Sequence, residues 1–166
     1  MKQIAVAFSG PSNSGKTTLI VKITKSLIER GFRVVVLKHD PKDKGKFDIE
    51  GKDSFKFSQA GADVVVASPS QTTYFCKNRK EKELDEIVGM VGEFDYLLVE
   101  GLKTLNLPRI SLFKGSVDES YLNYSDAIAT DELSYQTKLP HFRRDDVEAI
   151  ISWIDKNGKK IKEKRA

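Results

Sequence analysis

The chain has 166 residues, a formal net charge of +4, 39% hydrophobic and 31% charged residues. That length suits one domain with a single sizeable core, and that balance excludes a disordered or fibrous chain. No apolar run approaches the roughly 20 residues that cross a bilayer, and a lone cysteine, Cys76, excludes an intrachain disulfide.

Gln3 to Ser9 reads as a first strand with the apolar body Ile4-Ala5-Val6-Ala7-Phe8. It runs into Gly10-Pro11-Ser12-Asn13-Ser14-Gly15-Lys16-Thr17-Thr18, which matches the phosphate-loop pattern G-x-x-x-x-G-K-[ST]. A cleaved leader would remove part of this loop, so a cytoplasmic location is expected. A helix from Lys16 to about Arg30 follows, with Leu19, Ile20, Ile23, Leu27 and Ile28 on one face and Gly31 just past its end. Strand, loop and helix stand in the order that phosphate binding needs. Backbone N–H groups turn inward to hold phosphate oxygens, and the helix dipole adds to the attraction. Lys16 neutralises the β and γ phosphates, and the Thr17 hydroxyl reaches Mg²⁺. Ser12, Asn13, Ser14, Gly15, Lys16, Thr17 and Thr18 are therefore the candidate nucleotide-binding residues. Asn13 stands where a left-handed residue helps the loop to close, and Asn tolerates positive φ better than most.

Arg33 to Lys38 is a second strand. Its run Val34-Val35-Val36-Leu37 predicts burial on both faces. A polar loop, His39 to about Lys52, comes next. A loop leaving this strand can approach the metal and the γ-phosphate, because such sheets bind ligands at the C-terminal ends of their strands. Asp48 is the candidate for metal or water contact there. Asp53 either joins it or caps a helix beginning near Ser54. His39 could transfer protons, but it lacks a second His or Cys nearby for a zinc site.

Ser54 to Ala60 reads as a short helix stopped by Gly61. Val64 to Ala67 and Thr72 to Phe75 read as strands, and Glu81 to Val91 as a helix. Asp95 to Glu100 is a buried strand ended by Gly101. An apolar run that ends on an acid can deliver a carboxylate beside Mg²⁺, directly or through water, so Glu100 is the second candidate for metal binding and catalysis. The bland reading is a solvated strand end. Asp95 stands at the wrong end of the same strand. Arg109 to Phe113 and Ala127 to Thr130 complete the sheet. Asp131 follows, and a carboxylate there can accept from N1–H and the 2-amino group of guanine, donors that adenine lacks. The Asn-Lys-x-Asp base-reading motif is absent, and a turn or cap acid is the equal alternative. A last helix starts at Asp145 or Asp146 as cap and buries Val147, Ile150, Ile151 and Ile154. The pattern predicts an α/β, three-layer P-loop NTPase fold, with a mostly parallel, mixed central sheet flanked by helices. Residues 1–158 would form one nucleotide-binding domain and 159–166 a solvated basic tail. No aromatic residue interleaves the tail lysines, so no nucleic-acid surface is indicated.

Five segments together resemble a known family: Ser14-Gly15-Lys16-Thr17-Thr18, Leu37-Lys38-His39, Gly51-Lys52-Asp53-Ser54, Ala60-Gly61-Ala62 and Leu98-Val99-Glu100-Gly101-Leu102-Lys103. With Ala129-Thr130-Asp131 and Asp145-Asp146-Val147-Glu148, the chain looks like the molybdopterin-guanine dinucleotide biosynthesis protein B (MobB) family over nearly its whole length. The resemblance implies a GTP-binding, Mg²⁺-dependent adapter that is at most a slow GTPase. It implies a homodimer that assists the guanylyltransferase attaching GMP to molybdopterin. By position, Ser12 through Thr18 would cradle phosphate, Thr17 and Glu100 would hold or flank Mg²⁺, and Asp48 and Asp53 would sense the γ-phosphate. The family usually has glycine at Asn13 and further histidines after Lys38-His39. Without those histidines, Lys42, Lys44 and Lys46 remain to attract the phosphate of molybdopterin. A small-molecule kinase is the alternative. It needs an arginine lid, whereas Arg143 and Arg144 precede the last helix and the other arginines are scattered. A nickel-delivering GTPase would want clustered soft ligands, against one Cys and two His here.

Overall fold

β1 (Ile4–Ser9) is buried at every residue and lies at the centre of the main sheet. In this computed structural model, which describes residues 2–42, 44–45, 48–76, 78, 80–132 and 134–161, that sheet is seven-stranded. Lys46 and the tail beyond residue 161 lie outside the described residues. β1 is flanked on one side by β5 (Tyr96–Glu100) and then β2 (Val34–Lys38). On the other side stand β6 (Arg109–Phe113), β7 (Ala127–Thr130) and β8 (His141–Arg143). All these pairings are parallel, so the C-terminal strand ends share one edge.

Two strands were not anticipated. β8 follows Pro140 and extends the sheet beyond β7. β9 (Lys159–Lys160) pairs antiparallel with Ile4 and Ala5, so the segment read as tail begins as sheet. The apolar run of β2 also behaves otherwise than expected. β2 is an edge strand, and Val36 is 45% exposed. The interior position beside it belongs to β5, whose Tyr96 to Val99 are all buried.

The helix after the loop, α1 (Lys16–Glu29), buries Leu19, Ile20, Ile23 and Leu27 against the sheet. Ile28 is 56% exposed instead, because it stands about 100° further round the helix than Leu27. The chain leaves α1 through Gly31 at φ 82. Gly31 N–H donates to the Ile28 carbonyl at 2.9 Å and Phe32 N–H to the Leu27 carbonyl at 3.0 Å, a Schellman termination. α4 (Val147–Asn157) packs on the same core through Ile150, Ile151, Trp153 and Ile154. Of the two candidate caps Asp146 is the one used, its side chain accepting from Ala149 N–H at 3.1 Å.

Residues 40–87 form a second compact unit. It contains α2 (Asp53–Gln59) and an antiparallel pair, β3 (Val64–Ala67) and β4 (Thr72–Phe75), which forms its own two-stranded sheet. Lys52 is the cap residue of α2, and Asp53 is the first helical residue, its carboxylate 3.3 Å from Lys56 Nζ. Phe57, Val65, Val66 and Tyr74 expose large apolar surface. α3 (Leu84–Val91) follows. No helix among the described residues is long and apolar enough to cross a membrane.

Asp146→Ala should lower stability by about 1 kcal/mol through loss of the cap. Asp145→Ala, which removes only an exposed contact to Arg143, should change it by less than about 0.5 kcal/mol. Chemical denaturation of the two variants checks the contrast.

Candidate nucleotide site

The loop between β1 and α1 is shaped by left-handed residues. Gly10 has φ 135, Asn13 φ 62 and Gly15 φ 93. A Cβ at Gly10 would lie 2.2 Å from the Leu112 carbonyl oxygen, so the loop enters where only glycine fits. α1 then starts on Gly15 with no side-chain cap and no acidic residue in its first turn. Its first N–H groups have no intrahelical partner, and its dipole presents positive charge to the loop. Ser14 is buried, and Lys16 Nζ donates to the carbonyls of Gly10 at 3.0 Å and Pro11 at 2.7 Å. Burial pushes the Lys16 ammonium down from its ordinary range; Glu100 opposes this, and Lys38 and Lys103 add to it. An anion placed here would relieve that strain on the charge.

Glu100 ends β5 and Lys38 ends β2, and the two are register partners. Both line a cavity of about 440 Å³ with Ser12, Lys16 and Thr17. Thr17 Oγ1 donates to Glu100 Oε2 at 3.4 Å. A hydroxyl and a carboxylate converging beside a lysine are hard oxygen donors of the kind Mg²⁺ takes next to phosphates. Uncapped helix, cradling loop and oxygen donors together fit a nucleotide and its metal.

The segment after Glu100 is held from below. Gly101 has φ 92 and Leu102 φ 48, the latter strained for a residue with a Cβ. Arg109, 1% exposed, reaches under this turn. Nη1 donates to the Gly101 carbonyl at 3.2 Å, and Nη2 to those of Leu102 at 2.9 Å and Leu105 at 3.3 Å. Burial pushes its pKa down, while Tyr124 and Asp126 oppose this. Lys103 lies 4.4 Å from the Tyr121 ring centroid, on the short 3-10 helix Glu119–Tyr124. Neither Arg109 nor this cluster was a sequence candidate. A charge heading the apolar strand Arg109-Ile-Ser-Leu-Phe was the available signal.

Asp131 follows β7 and lines a second cavity of about 560 Å³, on the other side of the loop, with Thr18, Leu19, Lys22 and Lys114. Its carboxylate is engaged by Arg144, which holds it below the usual carboxylate range. Arg144 was set aside as ill-placed, yet its Nη1 stands 3.0 Å from the Ser14 carbonyl. The missed strand β8 carries it to the edge where the loop lies. The structure thus brings Ser12 through Thr18 together with Glu100 on one side and Asp131 on the other. Asp48 belongs to the second unit. There its Oδ1 accepts from Ser54 Oγ and from Ile49 N–H, both at 2.9 Å.

The sequence profile of the family described as Molybdopterin guanine dinucleotide synthesis protein B matches residues 5–131. The chain belongs to this family, MobB. Two relatives are each named Molybdopterin-guanine dinucleotide biosynthesis adapter protein. The one from Haemophilus influenzae is 35% identical over 112 residues, covering 66% of this chain and 62% of the relative. The one from Escherichia coli is 35% identical over 114 residues, covering 66% and 65%. The chain therefore spans less than two thirds of the length of these curated relatives. A solved structure described as molybdopterin-guanine biosynthesis protein B (mobB) superposes with a TM-score of 0.75 at 31% identity. It covers 91% of this chain and 97% of its own. The MobB fold is thus shared over most of the chain.

Arg109→Met should destabilise the chain by about 1–3 kcal/mol, since it strands three carbonyls beneath the Glu100 turn. Thermal unfolding of the variant measures this.

Proposed function

We infer that this MobB protein binds GTP with Mg²⁺ on the Gly10–Thr18 loop and acts as an adapter in molybdopterin guanine dinucleotide synthesis. One observation carries it: Lys16, Thr17 and Glu100 line one cavity at the uncapped start of α1. The naming of the relatives as adapter proteins supports the pathway. In this reading Ser12 through Thr18 would hold the phosphates, and Thr17 and Glu100 would hold the metal, which would supply neutralisation of phosphate charge. Asp131 reads guanine. Asp48 belongs to a loop whose state answers to the γ-phosphate, and that loop biases a partner surface.

The partner is the guanylyltransferase that joins GMP to molybdopterin, with Lys42 and Lys44 available to attract a phosphate. A homodimer fits the apolar surface exposed by Val65, Val66 and Tyr74. Hydrolysis is slow in this account. Arg143 and Arg144 line the cavity of Asp131 and not the one that Lys16, Thr17 and Glu100 line, so neither stands where a transferring phosphoryl group would be clamped. The same placement disfavours a small-molecule kinase.

Lys16→Ala should abolish GTP binding, lowering affinity at least about 100-fold by loss of a charge-assisted phosphate contact, with the circular dichroism spectrum unchanged. Unaltered GTP affinity would refute the site. Asp131→Asn should shrink the preference for GTP over ATP, read by competition binding, and an unaltered ratio would remove Asp131 from base reading. Capture of the guanylyltransferase should depend on GTP, and equal capture with no nucleotide would refute the adapter role.

A further inference from the structure

Both oxygens of Asp131 are covered by one guanidinium. Arg144 Nε donates to Oδ1 at 2.8 Å, and Nη2 lies 2.7 Å from Oδ2. The remaining side of the same group, Nη1, donates to the Ser14 carbonyl at 3.0 Å. An ideal Cβ at Gly15 would come within 2.8 Å of that nitrogen, so the guanidinium is seated directly against the phosphate loop. Arg144 therefore spans from the loop to the strand-end acid, across the wall of one cavity.

The chemistry of this fork matters for what Asp131 can read. Two parallel N–H donors on a planar edge take the outer side of both carboxylate oxygens. The N1–H and 2-amino group of guanine present the same pair of donors on a planar edge. A carboxylate receives one such fork at a time on that side. Guanine and Arg144 thus need the same acceptor positions. Adenine has no matching pair of donors and makes no claim on them.

Resting on the assignment of a nucleotide to this site, we propose that Arg144 is a specificity-determining residue that competes with guanine for Asp131. A guanine nucleotide is accepted by exchange of one fork for the other, and the exchange releases the hold of Arg144 on Ser14. The pair is open to such exchange, because the Asp131 side chain is 51% exposed and that of Arg144 25%. Solvent reaches both groups and screens the pair. The competition lowers the advantage of guanine over adenine without touching the triphosphate end, where Lys16, Thr17 and Glu100 line the other cavity.

The test is a set of equilibrium titrations of the full chain with GTP, ATP and inorganic tripolyphosphate, all with Mg²⁺. The proteins are the unaltered chain, Arg144→Met, Arg144→Lys, Asp131→Asn and the double variant Asp131→Asn/Arg144→Met. Met keeps the apolar stem and removes the fork. It should tighten GTP by about two- to fivefold, the range an exposed ion pair corresponds to, and leave ATP and tripolyphosphate within about twofold. Lys, a point donor that cannot cover both oxygens, should shift GTP in the same direction by less. The gain should vanish in the Asp131→Asn background. Arg144→Met weakening GTP and ATP alike, or leaving GTP unchanged, would overturn the competition while leaving the nucleotide site intact. Asp131→Asn leaving the GTP to ATP ratio unchanged with either residue at 144 would overturn base reading at Asp131, and the exchange with it.

Discussion

The first turn of α1 begins on a left-handed glycine, without a side-chain cap and without an acid, and everything at the site is arranged around that end. Its N–H groups and the positive end of its dipole have to be satisfied by something outside the helix. The parallel sheet decides what can reach them. Because β2, β5, β1, β6, β7 and β8 run the same way, their C-terminal ends fall along one edge. Lys38, Glu100 and Asp131 arrive at that edge from three strands far apart in the chain. A reversed strand would have carried its acid to the opposite edge, as Asp95 shows at the start of β5, where it accepts from Arg33 N–H and Lys2 N–H.

Two arginines then fix the surroundings in different ways. Arg109 is buried and donates to three carbonyls on the turn after Glu100. Its planar fork supplies several directed donors, which holds Leu102 in a left-handed conformation it would otherwise leave. That turn sets where Glu100 and Lys103 stand. Arg144 is partly exposed and has an acid partner, so its hold is adjustable where that of Arg109 is not. Rigid support therefore lies on the phosphate side of the loop, and the exchangeable contact on the Asp131 side.

Much of this was legible in the chain. The phosphate loop carries its own spacing, and Asn13 at φ 62 takes the conformation its chemistry suggested. Glu100 stood out because an apolar run ends on it. β8 and β9 were not legible, since three and two residues are too short to carry a period. β9 is placed by a turn at Gly158, where an added Cβ would lie 2.2 Å from Ile4 Cγ2. The run Val34 to Leu37 reported hydrophobicity but not neighbours, and β2 proved to be an edge strand. β3 and β4 were read as strands and pair as a local hairpin, but that this hairpin forms its own sheet and does not join the main one is not written in its own residues. Asp131 was visible as a strand-end acid. Its partner was hidden, because Arg144 reaches it only once β8 lies beside β7.

In the proposed reading, a bound triphosphate acts as a signal more than as a phosphoryl donor. Such a signal would have to distinguish GTP from GDP, and Thr17 and Glu100 are the residues that would hold the metal that helps to do so. Calorimetric titration of the chain with GTP and with GDP, each with and without Mg²⁺, measures this directly. The account predicts that Mg²⁺ tightens GTP at least about tenfold more than GDP, a difference of about 1.4 kcal/mol. Equal affinities for GTP and GDP, unaffected by Mg²⁺, would contradict it.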